Sequence, residues 1–369
     1  MAKEKDIRQF RRSNKTQILW FLYNKGPLSR LELAKLCKLT TPSITQLIND
    51  LTIQKEVVEV GSIQRNATGR KEILLDLNPN KTVVLGINIE TDYTYFCIAN
   101  VKKVFNVIKV KTEEFDFRNT AGIFTEKIAE ILAQYPKVNQ ICVGVNGKVE
   151  NGCVETSYDD VHSGFNMQKH LEEKFNMPVE IINNIKAQAL SLYKMENENY
   201  MFITHSPELG SAMIIKGELI KGNDKVTGEL GHTIIKLDGK QCKCGKRGCI
   251  NTYVSDEAIE EEYFNKTGIK KSVDEIYELY EIDEVATEIL KRVIRVLAVL
   301  IANVSEMLNP ERVFLSGGIF AQDKVYDYGW EILDKCGYKG LNVERIVDIE
   351  TLKSTAVAKY SICKNILSL

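Results

Sequence analysis

Gly228-Glu-Leu-Gly-His232, nine further residues, then Cys242-Lys-Cys-Gly-Lys-Arg-Gly-Cys249 and Ile250-Asn-Thr-Tyr253 form the most informative stretch of this chain. His232, Cys242, Cys244 and Cys249 offer one imidazole and three thiols. That donor set suits a tetrahedral zinc ion, and four protein ligands leave no open position for a substrate, so the metal reads as structural. Gly245 and Gly248 fit a chain that turns tightly around an ion. The other reading is a chance cluster of free cysteines, against which stands the spacing of three thiols within eight residues.

Around this stretch, 369 residues are enough for two or three domains and a large core. Hydrophobic content of 44% and charged content of 27% are those of a soluble globular protein. The polar opening MAKEKDIRQFRRSNK has no signal-peptide core. The apolar run from Val293 to Val304 is too short for a bilayer and has Lys291, Arg292 and Arg295 at its head. No membrane partner is expected. Nine cysteines, an odd and mostly scattered set, argue against a secreted disulfide scaffold and for a cytoplasmic location. Charge is uneven. Residues 1–78 hold 14 Lys plus Arg and 8 Asp plus Glu, a net of 14 − 8 = +6, on a chain of net −1. One end therefore suits an anionic partner.

That end has the layout of a DNA reader. Ile18, Leu19, Phe21 and Leu22 mark a helix over residues 14–25, closed at Gly26-Pro27. Ser29 and Glu32 form a capping box that opens a second helix. Thr41 as cap and Pro42 at the first helical position open a third, with Ile44, Leu47, Ile48 and Leu51 inward. Its outer face carries Ser43, Thr45, Gln46 and Asn49, residue types that hydrogen-bond base edges and phosphates in a major groove. Strands over 57–60 and 73–77 then predict a wing with Arg70 and Lys71 at its tip, placed to meet phosphates or a minor groove. A small packing or dimerisation domain is the alternative. Asn78-Pro79-Asn80-Lys81 marks the boundary.

From Thr82 strands and helices alternate, which predicts an α/β body. A strand over 140–145 ends in Gly144-Val-Asn-Gly147, another over 179–182 runs into Asn183-Asn184, and Val313-Phe-Leu-Ser-Gly-Gly318 enters a glycine turn.

With GELGH, CKCGKRGC and LSGG in this order, the chain resembles the ROK family of repressors, open reading frames and kinases over essentially its whole length. Its winged head is similar to that of the family's repressor branch, which includes xylose and N-acetylglucosamine repressors. The resemblance implies a two-lobed, actin-like (ribonuclease-H-like) domain with a sugar cleft, usually in dimers or tetramers. The expected divisions are 1–80 for the head, 81–195 for a small lobe completed by a C-terminal helix over 355–369, and 196–354 for a large lobe with the zinc motif.

The resemblance also identifies what is missing. Where ROK kinases carry an Asp-Ile-Gly-Gly-Thr phosphate loop, this chain has Asn88-Ile-Glu-Thr-Asp92. Their second phosphate loop aligns near Ser206-Pro-Glu-Leu-Gly210, where only the last glycine remains. Their general base lies in an Asn-Asp pair that is Asn183-Asn184 here, and an amide cannot accept a proton at neutral pH. The expectation is a protein that is not an enzyme and uses no ATP. The family's sugar contacts carry over to Asn183, Asn184, Glu229, His232 and Asn251, with Gly147 bordering the cleft. Two of these are amides where the family has acids, yet amides still hydrogen-bond a polyol.

The expected function is a DNA-binding repressor of carbohydrate-related genes. It would hold a structural Zn²⁺, bind an operator as a homodimer or dimer of dimers, and answer to a sugar or sugar-phosphate effector. The alternatives are a regulator whose vestigial cleft leaves control to a protein partner, and an active ATP-dependent sugar kinase.

Overall fold

The computed structural model describes residues 2–64, 71–115, 122–156, 166–192, 198–222, 228–338 and 340–367, with side chains from Asn14 onward. Arg70 and His162 lie outside the described residues. The chain divides into two compact units, Met1–Asn184 with Lys353–Leu369, and Ile185–Leu352.

In the first unit the head folds as three helices, Ala2–Lys25, Arg30–Cys37 and Thr41–Ile53, with strands Leu28–Ser29, Val57–Ile63 and Glu72–Leu77. Ile18, Leu22, Leu33, Ile44, Ile48, Leu51 and Leu75 form its core, each essentially inaccessible. Burying one such side chain stabilises by about 1.5–3 kcal/mol. The capping box is present: Ser29 N–H donates to Glu32 Oε2 at 2.8 Å and Glu32 N–H to Ser29 Oγ at 3.3 Å. Three expectations need correction. The first helix begins at Ala2, twelve residues before the expected start at 14. The third is capped by Thr40, one residue early, because Thr40 Oγ1 accepts the Ser43 N–H and also bonds the Ser43 hydroxyl at 2.9 Å. The wing sheet has a third strand, Leu28–Ser29, paired antiparallel with Glu72–Leu77.

Beyond the head lies a five-stranded sheet. Val83–Ile89 is its centre, with Tyr93–Asn100 and then Val104–Lys111 antiparallel on one side. Gln140–Val145 and then Val179–Asn183 run parallel on the other. The helix Ile349–Leu367 lies against this sheet over two glycines. A Cβ on Gly86 would sit 2.5 Å from the Ala358 nitrogen, and one on Gly144 would sit 2.6 Å from Val357 Cγ2.

The second unit repeats the pattern. Tyr200–His205 is the centre, with Leu209–Ile215 and Glu218–Leu219 antiparallel on one side. Arg312–Gly317 and Val343–Ile346 run parallel on the other. Its core is built around the 25-residue helix Glu284–Leu308, whose buried stripe runs from Ala286 to Ser305. Three antiparallel strands joined to two parallel ones, twice over, are the two ribonuclease-H-like halves of an actin-like domain.

Of the scattered cysteines, Cys97, Cys142 and Cys363 are buried, while Cys37 and Cys153 are half-buried. Cys336 is exposed, because it caps the surface helix Asp323–Lys335. No described helix is long and apolar enough to cross a membrane.

Two outcomes follow for stability. Gly86→Ala drives a methyl into the backbone of the C-terminal helix and should destabilise the first unit by roughly 1–3 kcal/mol in urea unfolding. His205 is fully buried, with Nε2 2.5 Å from the Val254 carbonyl. Burial holds its pKa below the ordinary value, a shift the Val254 bond only partly opposes. The unfolded state therefore binds the extra proton, so the second unit should lose stability as pH falls below the ordinary histidine pKa of about 6.5. The same titration of His205→Gln should show a shallower acid slope.

Candidate functional site

The metal ligands converge from two segments of the second unit. Leu230–His232 is a single 3-10 turn that brings His232 inward, leaving it 8% exposed. The cysteine loop is a tight knuckle: Cys242 N–H donates to the Lys246 carbonyl at 2.8 Å and Gly245 N–H to the Cys242 carbonyl at 3.0 Å. Gly245 has φ +88° and Gly248 φ +74°, and a Cβ on Gly248 would lie 1.7 Å from the Lys236 oxygen, so only glycine fits there. The four donor atoms all lie within 4.8 Å of one another. His232 Nδ1 is 3.6 Å from Cys242 Sγ, and Cys244 Sγ is 3.7 Å from Cys249 Sγ.

Those separations fit a metal and exclude a disulfide, which needs about 2.05 Å. Zinc at about 2.3 Å from sulfur and about 2.0 Å from nitrogen gives tetrahedral edges of about 3.8 Å and about 3.6 Å. Without a cation the Cys242 and Cys249 thiols are poorly placed as charges. Burial, then the Cys244 and Cys242 thiols, push the Cys249 thiol up to about 12. Burial lowers the His232 pKa, against the pull of Glu208, which favours the neutral imidazole a metal takes. Bound zinc would supply structural cross-linking through these four side chains.

The polyol-contact positions fall in two groups. In the first unit, Asn183 Nδ2 donates to the Gly147 carbonyl at 3.0 Å, and Gly147 takes φ +110° to present it. Asn184 Nδ2 donates to Glu90 Oε1 at 3.1 Å. The same carboxylate oxygen accepts from Asn88 Nδ2 at 2.9 Å, and Lys353 Nζ lies 3.6 Å from Glu90 Oε2. Asn88 Nδ2 also donates to the Lys353 carbonyl at 2.8 Å. Of the two acids expected to face a triphosphate, Glu90 is therefore turned into an amide and lysine cluster, and Asp92 is exposed.

In the second unit, Glu229 is exposed just ahead of the turn that carries His232. Partial burial raises its carboxyl pKa, opposed by Lys186 and Lys246. Asn251 is only 6% exposed. Its Oδ1 accepts from Leu209 N–H and its Nδ2 donates to Glu208 Oε2, each at 3.0 Å. It thus braces the turn after Tyr200–His205. Glu90 and Glu208 occupy the same topological place in the two units, the hairpin after the central strand. Sequence reading missed the Lys353 partnership, since Asn88 and Lys353 are 265 positions apart and no local pattern joins them.

On the recognition helix Ser43, Gln46 and Asn49 are exposed and Thr45 half-buried. The Thr45 hydroxyl donates back to the Thr41 carbonyl at 2.9 Å, which leaves it acceptor capacity only. Lys71 is exposed at the foot of the wing strand Glu72–Leu77.

A winged helix-turn-helix joined to a duplicated ribonuclease-H-like domain with a Cys₃His knuckle defines the class. Residues 84–354 match the ROK family model, and the chain belongs to the ROK family. The xylose repressor of Bacillus subtilis (strain 168) is 24% identical over 318 residues, covering 83% of this chain and 82% of that protein. An N-acetylmannosamine kinase of Vibrio cholerae is 30% identical over 200 residues, 53% of this chain and 69% of the kinase. The crystal structure of a ROK family transcriptional regulator, a homologue of the E. coli MLC protein, superposes with a TM-score of 0.80 at 22% identity. It covers 97% of this chain and 98% of its own, so the head is part of the shared fold.

Metal analysis checks the knuckle. The purified protein should hold zinc stoichiometrically, and a thiol-modifying reagent should release it. Cys242→Ser should lower both zinc content and melting temperature, whereas Cys336→Ser should change neither. Equal zinc content in the two variants would remove the metal from these ligands.

Proposed function

We propose that this chain is a DNA-binding transcriptional repressor controlled by a sugar or sugar-derived effector, and not a sugar kinase. The observation that carries the reading is the amide at position 184, tied to Glu90 where a kinase of this family would hold its free proton acceptor. An amide has no basicity near neutral pH. Glu90 is itself held by two amides and Lys353, in the loop that would have to admit phosphate oxygens. The xylose repressor relatives support the regulatory side, since their likeness covers 83% of this chain, more than the residues 84–354 that the family model matches.

In this reading Gln46 and Asn49 contact base edges, Thr45 accepts from a base-edge donor, and Ser43, Arg70 and Lys71 meet phosphate or groove edges. Asn183, Asn184 and Gly147 of the first unit, and separately Glu229 and His232 of the second, are the candidate effector contacts, and zinc on His232, Cys242, Cys244 and Cys249 would stiffen the segment bearing the latter two. A homodimer or dimer of dimers in the cytoplasm reads a palindromic operator. The effector relieves repression only by favouring the state that binds DNA poorly. Control by a protein partner is the second reading. It is favoured by Asn251, whose amide is spent on Leu209 and Glu208.

Gel-shift titration with the region upstream of the protein's own gene tests the head. Gln46→Ala should cost about 1–3 kcal/mol on that fragment and little on a scrambled one. A panel of pentoses, hexoses and N-acetylhexosamines should contain one member that raises the melting temperature and releases DNA, with both effects lost in Glu229→Ala. At about a hundredfold excess over its Kd such a ligand stabilises by about 2.7 kcal/mol. Silence across the panel would favour a protein partner. Phosphate transfer from ATP with magnesium to any of these sugars would overturn the non-enzymatic reading.

A further inference from the structure

The described acids of the head are almost all matched. Asp50 lies 3.1 Å from Lys15, Glu59 is 3.6 Å from Arg30, Glu56 is 3.2 Å from Lys81, and Asp76 is 2.5 Å from Lys102. Glu32 is held in the capping box. The cations left over are Lys25, which lies over the Phe21 ring, and Lys35, Lys38, Lys55 and Lys71, all exposed and without an ion pair among the described residues. They are the described share of the head's excess positive charge.

Lys38 stands apart by its position. It opens the three-residue turn Lys38-Leu39-Thr40 that joins Arg30–Cys37 to Thr41–Ile53. Its backbone is left-handed, φ 54° and ψ 39°, and its own N–H closes the preceding helix. A turn of this kind often carries glycine, which takes that conformation without steric cost. The capping is done by the backbone alone, so the turn gains nothing from a lysine side chain and bears a conformational penalty for it.

Lys55 is a matched reference within the same head. It too is left-handed, at φ 59°, exposed and without an ion pair among the described residues. It follows the other end of the same 13-residue helix, roughly 20 Å away at 1.5 Å per residue. A recognition helix presents its N-terminal residues to the bases, so the phosphates flanking the groove approach Lys38 and not Lys55.

We infer that Lys38 contacts a backbone phosphate of double-stranded DNA and sets how deeply Thr41–Ile53 enters the groove. This rests on the DNA-binding reading above. The contact is ionic and independent of sequence, so it adds to the base contacts of Gln46 and Asn49 without altering which bases are read.

The test compares the full-length wild type with Lys38→Asn, Lys38→Arg and Lys55→Asn on two labelled duplexes, the upstream region and a scrambled sequence, over a salt series. Asparagine tolerates the left-handed backbone, so melting temperatures should hold and a loss of binding is not a loss of fold. Both heads of a homodimer lose the contact, so Lys38→Asn should reduce the slope of log K against log salt by about 1.8 and weaken both duplexes roughly thirtyfold near physiological salt. Lys38→Arg should restore the slope, and Lys55→Asn should leave it unchanged. A wild-type slope in Lys38→Asn, or an equal loss in Lys55→Asn, would falsify the contact, the second result pointing to net charge alone. A wild type that binds neither duplex would sink the DNA-binding reading itself, a failure seen without any variant.

Discussion

The first unit depends on one close approach. Gly86 and Gly144, on neighbouring parallel strands, leave no Cβ beneath the C-terminal helix, so its backbone at Val357 and Ala358 comes down onto the sheet. Everything else that helix does follows from this depth. Its first turns bring Lys353 to Glu90 and Asn88. Its last turns bring the Tyr360 hydroxyl and Lys364 ammonium to Glu180, at 2.6 and 2.5 Å. At its end Cys363 lies 3.4 Å from the Tyr23 hydroxyl on the first helix of the head, and Ile366 packs against the head's core. Side chains on one helix thus reach both the hairpin that carries Glu90 and the core of the head. A methyl group at either glycine would lift all of these contacts together.

The duplicated sheet explains why the functional residues gather where they do. In each half the central strand ends in a hairpin, and the next parallel strand ends in a glycine-bearing turn, at Gly144–Gly147 in one and Gly317–Gly318 in the other. Ligands of open α/β sheets bind beyond the carboxyl ends of parallel strands. In this chain one of those ends, that of Val179–Asn183, runs into Asn184, whose amide is tied to Glu90. The first hairpin has exchanged glycines for Glu90 and its neighbours, and that carboxylate has found amide and ammonium partners in place of a metal-bound phosphate. In the second, Glu208 and Asn251 hold each other. Both hairpins are therefore braced by polar side chains where a nucleotide-binding loop would keep backbone N–H groups free.

Local signals made the head legible. Ser29 and Glu32 are three residues apart and the four inward positions of the third helix follow a 3.6-residue period, so neighbouring residues carry all the information. The misplaced cap shows the limit of such signals: Thr40 and Thr41 are chemically equal, and only the geometry around Ser43 chooses between them. The strand Leu28–Ser29 was invisible because two residues carry no periodicity and its partner is Leu75. Asn251 was legible as a family position, but its burial and its hold on Leu209 come from the fold and not from its neighbours in sequence.

By itself the sequence determined the order of modules, the spacing of His232, Cys242, Cys244 and Cys249, and the amide at position 184. Each is stated by residue identity and short spacing, which survive any detail of packing. Only the tertiary structure decided how the metal donors close to within 4.8 Å, and which side chains took over the space around Glu90. The same holds for which of the head's lysines remain without an acid. Those outcomes depend on contacts between residues far apart in the chain, and such contacts exist only once the helices have packed against their sheets.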